Sequence, residues 1–235
     1  KRFFKEKINP LGVRSPIVRK IANQYYQEIS AKGACLPDRQ ACLPDRQGPA
    51  SGWKNEVFVL CEDLLAKKTY EETLIAFSFA RKIGNTFDKK DFIRLENWLK
   101  KYVDNWAFCD DFCAHAFGEF ILKYPEFLSK IKLWTKSNNK WLRRASAVIL
   151  IYSLRKGKYL EEALEVAKIL LQDDEDLVQK GYGWMLKEAS NLYQKEVFKF
   201  VMKRKEKMPR TALRYAIEKF PKNMKQKALK LRVLS

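Results

Sequence analysis

The sequence predicts an all-α fold, and three observations support this prediction. From Ser51 onward, apolar residues recur with the 3.6-residue period of a helix, in segments of roughly 11 to 18 residues. Pro125, Pro209 and Pro221 each stand where such a segment begins, and proline suits the first turn of a helix. The alternating Val/Ile/Thr runs and Asn-Gly turns that predict strands and hairpins do not occur in the sequence.

The predicted helices follow one another through short connections. Residues 1 to 9 resemble the remnant of a helix that ends at Pro10. The next helix begins in the turn that contains Gly12, where Ser15 can cap it and Pro16 suits its first position, and it runs to about Ile29. The remaining predicted helices span 51–67, 70–82, 88–103, 106–123, 125–135, 139–155, 159–171, 174–190, 193–206, 209–219 and 222–232.

The spacing of three tryptophans indicates a repeat. Trp106, Trp141 and Trp184 open or centre successive helix pairs, at intervals of 35 and 43 residues. These intervals are on the scale of HEAT and armadillo repeats, which stack antiparallel helix pairs into a curved solenoid. We therefore predict a single HEAT-like (ARM-type) α-solenoid domain over residues 1–235, with a basic concave face.

One segment interrupts the helical pattern. Residues 34–40 read ACLPDRQ, and residues 41–47 repeat those letters in order. A tandem copy in a linker that contains proline and glycine is more typical of a local duplication or a sequence-level artefact than of a functional motif. Residues 34–48 are therefore predicted to form a mobile loop without chemistry.

The charge of the chain predicts a polyanionic partner. Lys and Arg number 47 against 28 Asp and Glu, which gives a net charge of +19. Residues 195–235 alone contain 14 Lys and Arg but only 3 Glu. Nucleic acid is the expected partner. A membrane surface is a weaker candidate, because no predicted helix has a purely basic face on one side and a purely apolar face on the other. In addition, no apolar run reaches the ~18 residues that span a bilayer.

The cysteines and the histidine do not predict a metal or cofactor site. The five cysteines have neither CxxC nor Cys/His zinc spacing, and His115 is the only histidine. Cys109 and Cys113 lie four residues apart in an apolar helix, where buried reduced thiols are expected. We therefore expect the protein to lie in the reducing environment of the cytoplasm and to use neither a cofactor nor a metal. The cysteines are Cys35, Cys42, Cys61, Cys109 and Cys113.

The segment from Trp106 to Phe120 contains the strongest local signal. As a helix it places Trp106 and Asp110 on one face, apart from the apolar stripe that contains Phe108 and Phe112. An aromatic ring and a carboxylate on a face that the core does not need indicate a functional surface. Two alternatives remain: Trp106 is an ordinary packing residue, and Asp111, rotated by about 100° on the helix, is a rival carboxylate.

If the helix pairs stack in register, one surface collects an aromatic, acidic and basic set. Arg143 and Arg144 are adjacent and point in different directions, so only one is expected to face DNA together with Trp106. The set is Trp106, Asp110, Arg143, Arg144, Lys180, Trp184, Lys187, Arg210 and Arg214.

Four stretches in this order and spacing resemble a known family. They are Trp106-x-x-x-Asp110, Asn139 to Ala145 (NKWLRRA), Asp176 to Glu188 (DLVQKGYGWMLKE) and Pro209 to Ala216 (PRTALRYA). The stretches resemble the DNA alkylation repair family, the AlkD-like DNA glycosylases built from HEAT-like repeats, over roughly residues 51–220.

The resemblance implies a monofunctional alkylpurine DNA glycosylase of base-excision repair. Such an enzyme hydrolyses the N-glycosidic bond of cationic bases such as 3-methyladenine and 7-methylguanine in duplex DNA, without base flipping. Asp110 falls on the catalytic aspartate of the family, and Trp106 and Trp184 fall on its two cleft tryptophans. Arg144 falls on a phosphate-contacting arginine. Lys187 and Arg210 match basic positions of the same face. Arg143, Lys180 and Arg214 are predicted to bind DNA because the stacking of the helix pairs places them on the same surface.

The expected partner is double-stranded DNA that carries alkylated bases, bound by a cytoplasmic, nucleoid-associated monomer. Two alternatives stay open: a non-catalytic HEAT-repeat DNA-binding protein, and a basic α-solenoid scaffold for an acidic protein or RNA. The intact Trp-x-x-x-Asp pattern argues against a pure DNA binder, which gains nothing from an anion beside phosphates.

Overall fold

The computed structural model describes residue 4, residues 6–34 and residues 51–230, and every regular element in these residues is helical. The α-helices of the first part are α1 (Ser15–Ala34), α2 (Ser51–Ala66), α3 (Tyr70–Lys82), α4 (Asp91–Tyr102), α5 (Trp106–Phe112), α6 (Gly118–Lys123) and α7 (Leu128–Trp134). Those of the second part are α8 (Lys140–Val148), α9 (Leu150–Leu154), α10 (Leu160–Ile169), α11 (Asp176–Ala189), α12 (Gln194–Arg204), α13 (Arg210–Ala216) and α14 (Lys222–Leu229). The all-α prediction is confirmed.

The predicted helix positions agree with the structure in all but a few places. A π-helical turn at Cys113–Phe117 joins α5 to α6, where the periodicity predicted one uninterrupted helix. The helix predicted for residues 1 to 9 is wrong, because residues 4 and 6–9 are not helical and the Asn9 carbonyl accepts a hydrogen bond from the Tyr70 N–H at 2.9 Å. Of the predicted linker 34–48, only Ala34 is described, and it ends α1; the other residues lie outside the described ranges.

The chain forms two compact units, Lys1–Arg94 and Leu95–Ser235. In the first unit, α3 packs against both α1 and α2. The turn before α1 is held by a buried carboxylate, since the backbone N–H groups of Leu11, Gly12 and Val13 donate to Glu71 at 2.8, 3.0 and 3.0 Å. Gly12 has a φ of +89°, which glycine adopts without strain.

The second unit contains a row of successive helices. Helix α5 packs against α8, α8 against α11, and α11 against α13, while α6 packs against α9 and α10 against α11. This regular packing of helix on helix confirms the predicted α-solenoid class. The organisation of residues 1–235 as a single repeat domain remains a prediction.

Small residues allow the helices of this row to approach closely. A Cβ atom on Gly183 of α11 would lie 2.7 Å from the Tyr215 Cβ and 2.9 Å from the Ala212 carbonyl oxygen of α13. Tyr182, which lies between two glycines, is fully buried. The Gly-Tyr-Gly sequence therefore lies where α11 and α13 pack closely. Among the described residues, no helix combines the length and apolar character needed to cross a membrane.

Candidate active site

The first turn of α5 sets the position of the candidate aspartate. Asn105 caps the helix, because its side-chain oxygen accepts the Phe108 N–H at 3.0 Å. Phe108 and Phe112 are then buried in the core, while Trp106 and Asp110 remain partly exposed. Asp111 is also partly exposed. The predicted separation of Trp106 and Asp110 from the apolar stripe therefore holds in this helix, and the function of their face remains a prediction.

Asp110 forms a bidentate ion pair with Arg144 of α8. The Arg144 Nε donates to Asp110 Oδ1 at 2.9 Å, and its Nη2 donates to Oδ2 at 2.8 Å. The third nitrogen, Nη1, donates to the Leu177 carbonyl oxygen of α11. A single guanidinium thus connects α5, α8 and α11, and each of its nitrogens has an acceptor. Planar two-point pairing of this kind fixes the orientation of a carboxylate as well as its position.

Burial and charge oppose each other at this pair. The Arg144 side chain is 6% exposed and the Asp110 side chain 19%. Burial raises the pKa of the Asp110 carboxyl, and the Arg144 charge and hydrogen bonds oppose that rise. Burial alone would lower the pKa of Arg144, but the Asp110 charge raises it, so the guanidinium stays charged. Arg144 is therefore the group that favours an ionised carboxylate at a desolvated position.

Gly181 of α11 makes space for the Arg144 side chain. A Cβ atom at this position would lie 3.1 Å from the Arg144 Cγ and 3.3 Å from its Nη1. A side chain at this position would press on Arg144, whose side chain would have to shift by a few tenths of an ångström. The first glycine of the Gly-Tyr-Gly sequence thus has a role that the sequence pattern alone does not reveal.

The two cysteines beside Asp110 are buried free thiols, as predicted. The Cys109 Sγ lies 3.9 Å from the Trp141 carbonyl oxygen of α8, and burial raises the pKa of the Cys113 thiol well above its usual range. Both thiols are therefore apolar packing groups under the candidate site. Within the described ranges, His, Cys, Asp and Glu side chains do not assemble into a group of three that could hold a metal ion.

Trp184 is partly exposed on α11, and its indole is anchored. Its Nε1–H donates to Glu188 Oε1 at 3.3 Å, one helical turn further on. Glu188 was not among the predicted site residues. Its position four residues after Trp184 is the sequence signal that could have identified it.

Besides Arg144, three of the predicted DNA-binding cations already have acidic partners. The Arg143 Nε donates to Asp173 at 2.6 Å, and its Nη1 donates to the carbonyl oxygens of Ser137 and Asn138. The Nζ of Lys180 lies 2.6 Å from Asp176, and that of Lys187 lies 3.1 Å from Glu218. Arg143 points toward Asp173 and Arg144 toward Asp110, so these neighbours face different ways, as predicted. Their roles in DNA binding remain predictions.

Arg210 and Arg214 differ from these paired cations. Both are exposed, one turn apart on α13. Across residues 6–34 and 51–230, no carboxylate lies within ion-pair distance of either guanidinium. They are therefore the members of the predicted basic set whose charges are most available to an incoming phosphate.

Comparison with known proteins defines the class of this chain. A family model described as DNA alkylation repair enzyme matches residues 1–220, and the chain belongs to that family. The match begins at residue 1 and so extends beyond the range 51–220 covered by the sequence motifs. The chain is thus a member of a family of enzymes that repair alkylated DNA.

A solved structure supports the fold. A predicted DNA alkylation repair enzyme from Enterococcus faecalis superposes with a TM-score of 0.70. The alignment covers 90% of this chain and 88% of the other, at 17% sequence identity. At this identity the likeness demonstrates a common fold. A search of curated proteins found no match.

Proposed function

We propose that this protein is a monofunctional DNA glycosylase of base-excision repair. In this proposal it hydrolyses the N-glycosidic bond of cationic alkylpurines, 3-methyladenine and 7-methylguanine, in duplex DNA. The observation that supports the proposal most strongly is the Asp110–Arg144 pair, a desolvated carboxylate held at both oxygens on the same helix face as Trp106. In this proposal the protein acts as a monomer in the cytoplasm, where it binds the DNA of the nucleoid.

The chemistry requires an anion rather than an acid. Alkylation of a ring nitrogen gives the purine a positive charge, so the base leaves without being protonated. The bond from C1′ to the ring nitrogen breaks, and its electron pair passes to the purine, which departs neutral. The sugar becomes an oxocarbenium-like cation, and a fixed carboxylate stabilises that charge. Water then adds to C1′ and gives up a proton to Asp110 or to solvent, which leaves an abasic site.

Arg144 supports this role by positioning Asp110 and keeping it charged. Its two hydrogen bonds occupy one lone pair on each carboxylate oxygen, and the remaining lone pairs are available to orient water. The neighbouring positive charge favours the ionised form of Asp110 in spite of its burial. Contact between Arg144 and a phosphate beside the lesion would require the guanidinium to share its hydrogen bonds.

The tryptophans and the free arginines supply recognition. The rings of Trp106 and Trp184 can pack against the sugar-phosphate backbone and attract a cationic base through their faces, with the lesion retained in the duplex. Arg210 and Arg214 neutralise phosphates along α13. Because phosphates and a catalytic carboxylate repel each other, the pairing of Asp110 with Arg144 also reduces the cost of bringing DNA close.

A non-catalytic DNA-binding protein is the second candidate. It is favoured by one observation, that both oxygens of Asp110 are already bound by Arg144, as in a purely structural ion pair. A structural pair would connect α5 to α8 and do no chemistry. A glycosylase would release bases from methylated DNA, whereas a non-catalytic protein would bind that DNA and leave it intact.

The test is the release of free bases from methylated duplex DNA, separated by chromatography. We expect the wild type to release 3-methyladenine or 7-methylguanine, Asp110→Asn to lose this activity, and the matched control Asp111→Asn to retain it. Tight duplex binding without base release would favour the non-catalytic candidate. Binding that prefers RNA to duplex DNA would instead favour a scaffold for RNA.

A further inference from the structure

Trp184, whose ring serves recognition in the proposed function, belongs to a four-residue polar network, and the other three members have no part in that proposal. Its indole N–H donates to Glu188, whose side chain is 10% exposed. The Arg155 Nε, just after α9, donates to Glu188 Oε2 at 2.9 Å. The Lys219 Nζ, just after α13, donates to Glu188 Oε1 at 3.4 Å. Three donors from separate segments therefore converge on one nearly buried carboxylate.

The network keeps Glu188 charged. Burial alone would raise the pKa of Glu188, but the hydrogen bond and charge of Arg155, together with Lys219, outweigh burial and lower it. A charged acceptor also makes a stronger hydrogen bond to the indole N–H than a neutral amide would. Such a bond restricts rotation of the indole and shifts electron density from the N–H toward the ring. The restricted rotation fixes the direction of the ring face, and the added electron density strengthens its attraction for a cation.

We propose that Glu188 is a positioning and specificity-determining residue, which fixes the Trp184 indole and strengthens the attraction of its face for a cationic lesion. The proposal rests on the glycosylase function proposed above. Cation–π attraction depends on the negative potential of the ring face. Glu188 thus acts through Trp184 and does not touch the substrate.

A purely structural role would differ in a measurable way. If Glu188 only joined α11 to Arg155 and Lys219, its loss would weaken folding and affect cationic and neutral ligands alike. If it tunes Trp184, its loss would selectively weaken the binding of a cation at the lesion, and only while Trp184 is present.

The experiment compares two duplexes that cannot react. One carries a protonated pyrrolidine in place of the deoxyribose at the lesion, and the other carries the neutral tetrahydrofuran analogue. The ratio of their affinities is measured for wild type, Glu188→Gln, Trp184→Phe and the double variant. Glu196→Gln, an equal change of charge at an exposed site on α12, is the matched control.

We expect Glu188→Gln to lower the affinity ratio by roughly 2- to 5-fold, Glu196→Gln to leave it unchanged, and Glu188→Gln to have no further effect once Trp184 is phenylalanine. A ratio that is unchanged in Glu188→Gln, or lowered equally in both backgrounds, would overturn the inference. Glu188→Asp, which withdraws the carboxylate by one methylene, serves if Glu188→Gln does not fold, and it is expected to lower the ratio in the same way.

A spectroscopic measurement provides an independent check. The ultraviolet resonance Raman difference between wild type and Trp184→Phe isolates the indole N–H mode of Trp184, which reports hydrogen bonding. We expect Glu188→Gln to shift this mode, and an unshifted mode would contradict the inference.

Base release is measured in parallel. A wild type that releases no base, but whose cation preference depends on Glu188, contradicts the glycosylase proposal alone. Base release with a preference independent of Glu188 contradicts this inference alone.

Discussion

Arg144 donates one hydrogen bond to each carboxylate oxygen of Asp110, at 2.9 and 2.8 Å, across 34 residues of sequence. The guanidinium is nearly buried and uses its remaining nitrogen on the Leu177 carbonyl oxygen. This arrangement places a fixed carboxylate on the helix that also presents Trp106.

The first prediction concerns pH. Because Arg144 opposes the burial that raises the Asp110 pKa, Arg144→Met should raise that pKa further. The reaction needs the ionised carboxylate. In a plot of single-turnover rate against pH, the fall in rate on the acid side should therefore begin at a higher pH. Arg143→Met, which removes a guanidinium paired with Asp173 instead, is the control and should leave this fall in place. A fall in rate that does not respond to Arg144→Met would contradict this assignment.

The second prediction concerns DNA affinity. Arg210→Gln and Arg214→Gln should each reduce the slope of log K against log salt by about 1, because each removes one phosphate contact. The rate of base release at saturating protein should not change. Lys187→Gln should have a smaller effect, since this cation is already paired with Glu218. Lys199→Gln, an exposed lysine on α12, serves as the control, and equal slopes for all variants would exclude α13 as the phosphate-binding helix.

The third prediction separates two neighbouring glycines. Gly181→Ala places a Cβ against Arg144 and should displace the guanidinium, which would slow base release by about tenfold or more. Gly183→Ala instead presses on Tyr215 and Ala212 of α13, and it should lower stability and DNA affinity. Single-turnover rates and thermal unfolding distinguish the two. A Gly181→Ala protein with the wild-type rate would show that the exact placement of Arg144 is unimportant.

The fourth prediction concerns stability in acid. The pKa of Glu188 in the folded protein is lowered from its ordinary value of 4.5. Its contribution to stability is therefore present above that value and is lost as the pH falls below 4.5 toward the folded pKa. Glu188→Gln should reduce the free energy of unfolding at pH 7 and make little difference in strong acid. Urea unfolding at both pH values tests this, and a deficit of the same size at each would contradict it.

The helices were predictable because their signals are local. Pro221 marked the start of α14, and Ser15 and Pro16 marked the start of α1. The π-helical turn was not predictable, because an apolar stripe that passes through Cys113–Phe117 does not reveal one wider turn. The non-helical residues 6–9 were missed because the Asn9 carbonyl bonds to Tyr70, a contact between distant segments.

In the candidate site, too, local relationships were predictable from the sequence and contacts between distant segments were not. Trp106 and Asp110 share a helix face by spacing alone, and Glu188 follows Trp184 by the same spacing. The pairing of Asp110 with Arg144 depends on the packing of α5 on α8, so no local pattern contains it. Family resemblance indicated which residues belong together, and its assignment of Arg144 to a phosphate remains a prediction, but it did not include the contact between Arg144 and Asp110.

The most direct test of the central claim is a double-mutant cycle on the Asp110–Arg144 pair. Single-turnover release of 7-methylguanine is measured for wild type, Asp110→Asn, Arg144→Met and the double variant, with thermal unfolding to confirm that each protein is folded. If Arg144 acts by holding a catalytic Asp110, Asp110→Asn should slow release by about 10²–10³-fold, and Arg144→Met should add little once Asp110 is gone. Wild-type rates in Asp110→Asn, or fully independent effects of the two substitutions, would contradict the account.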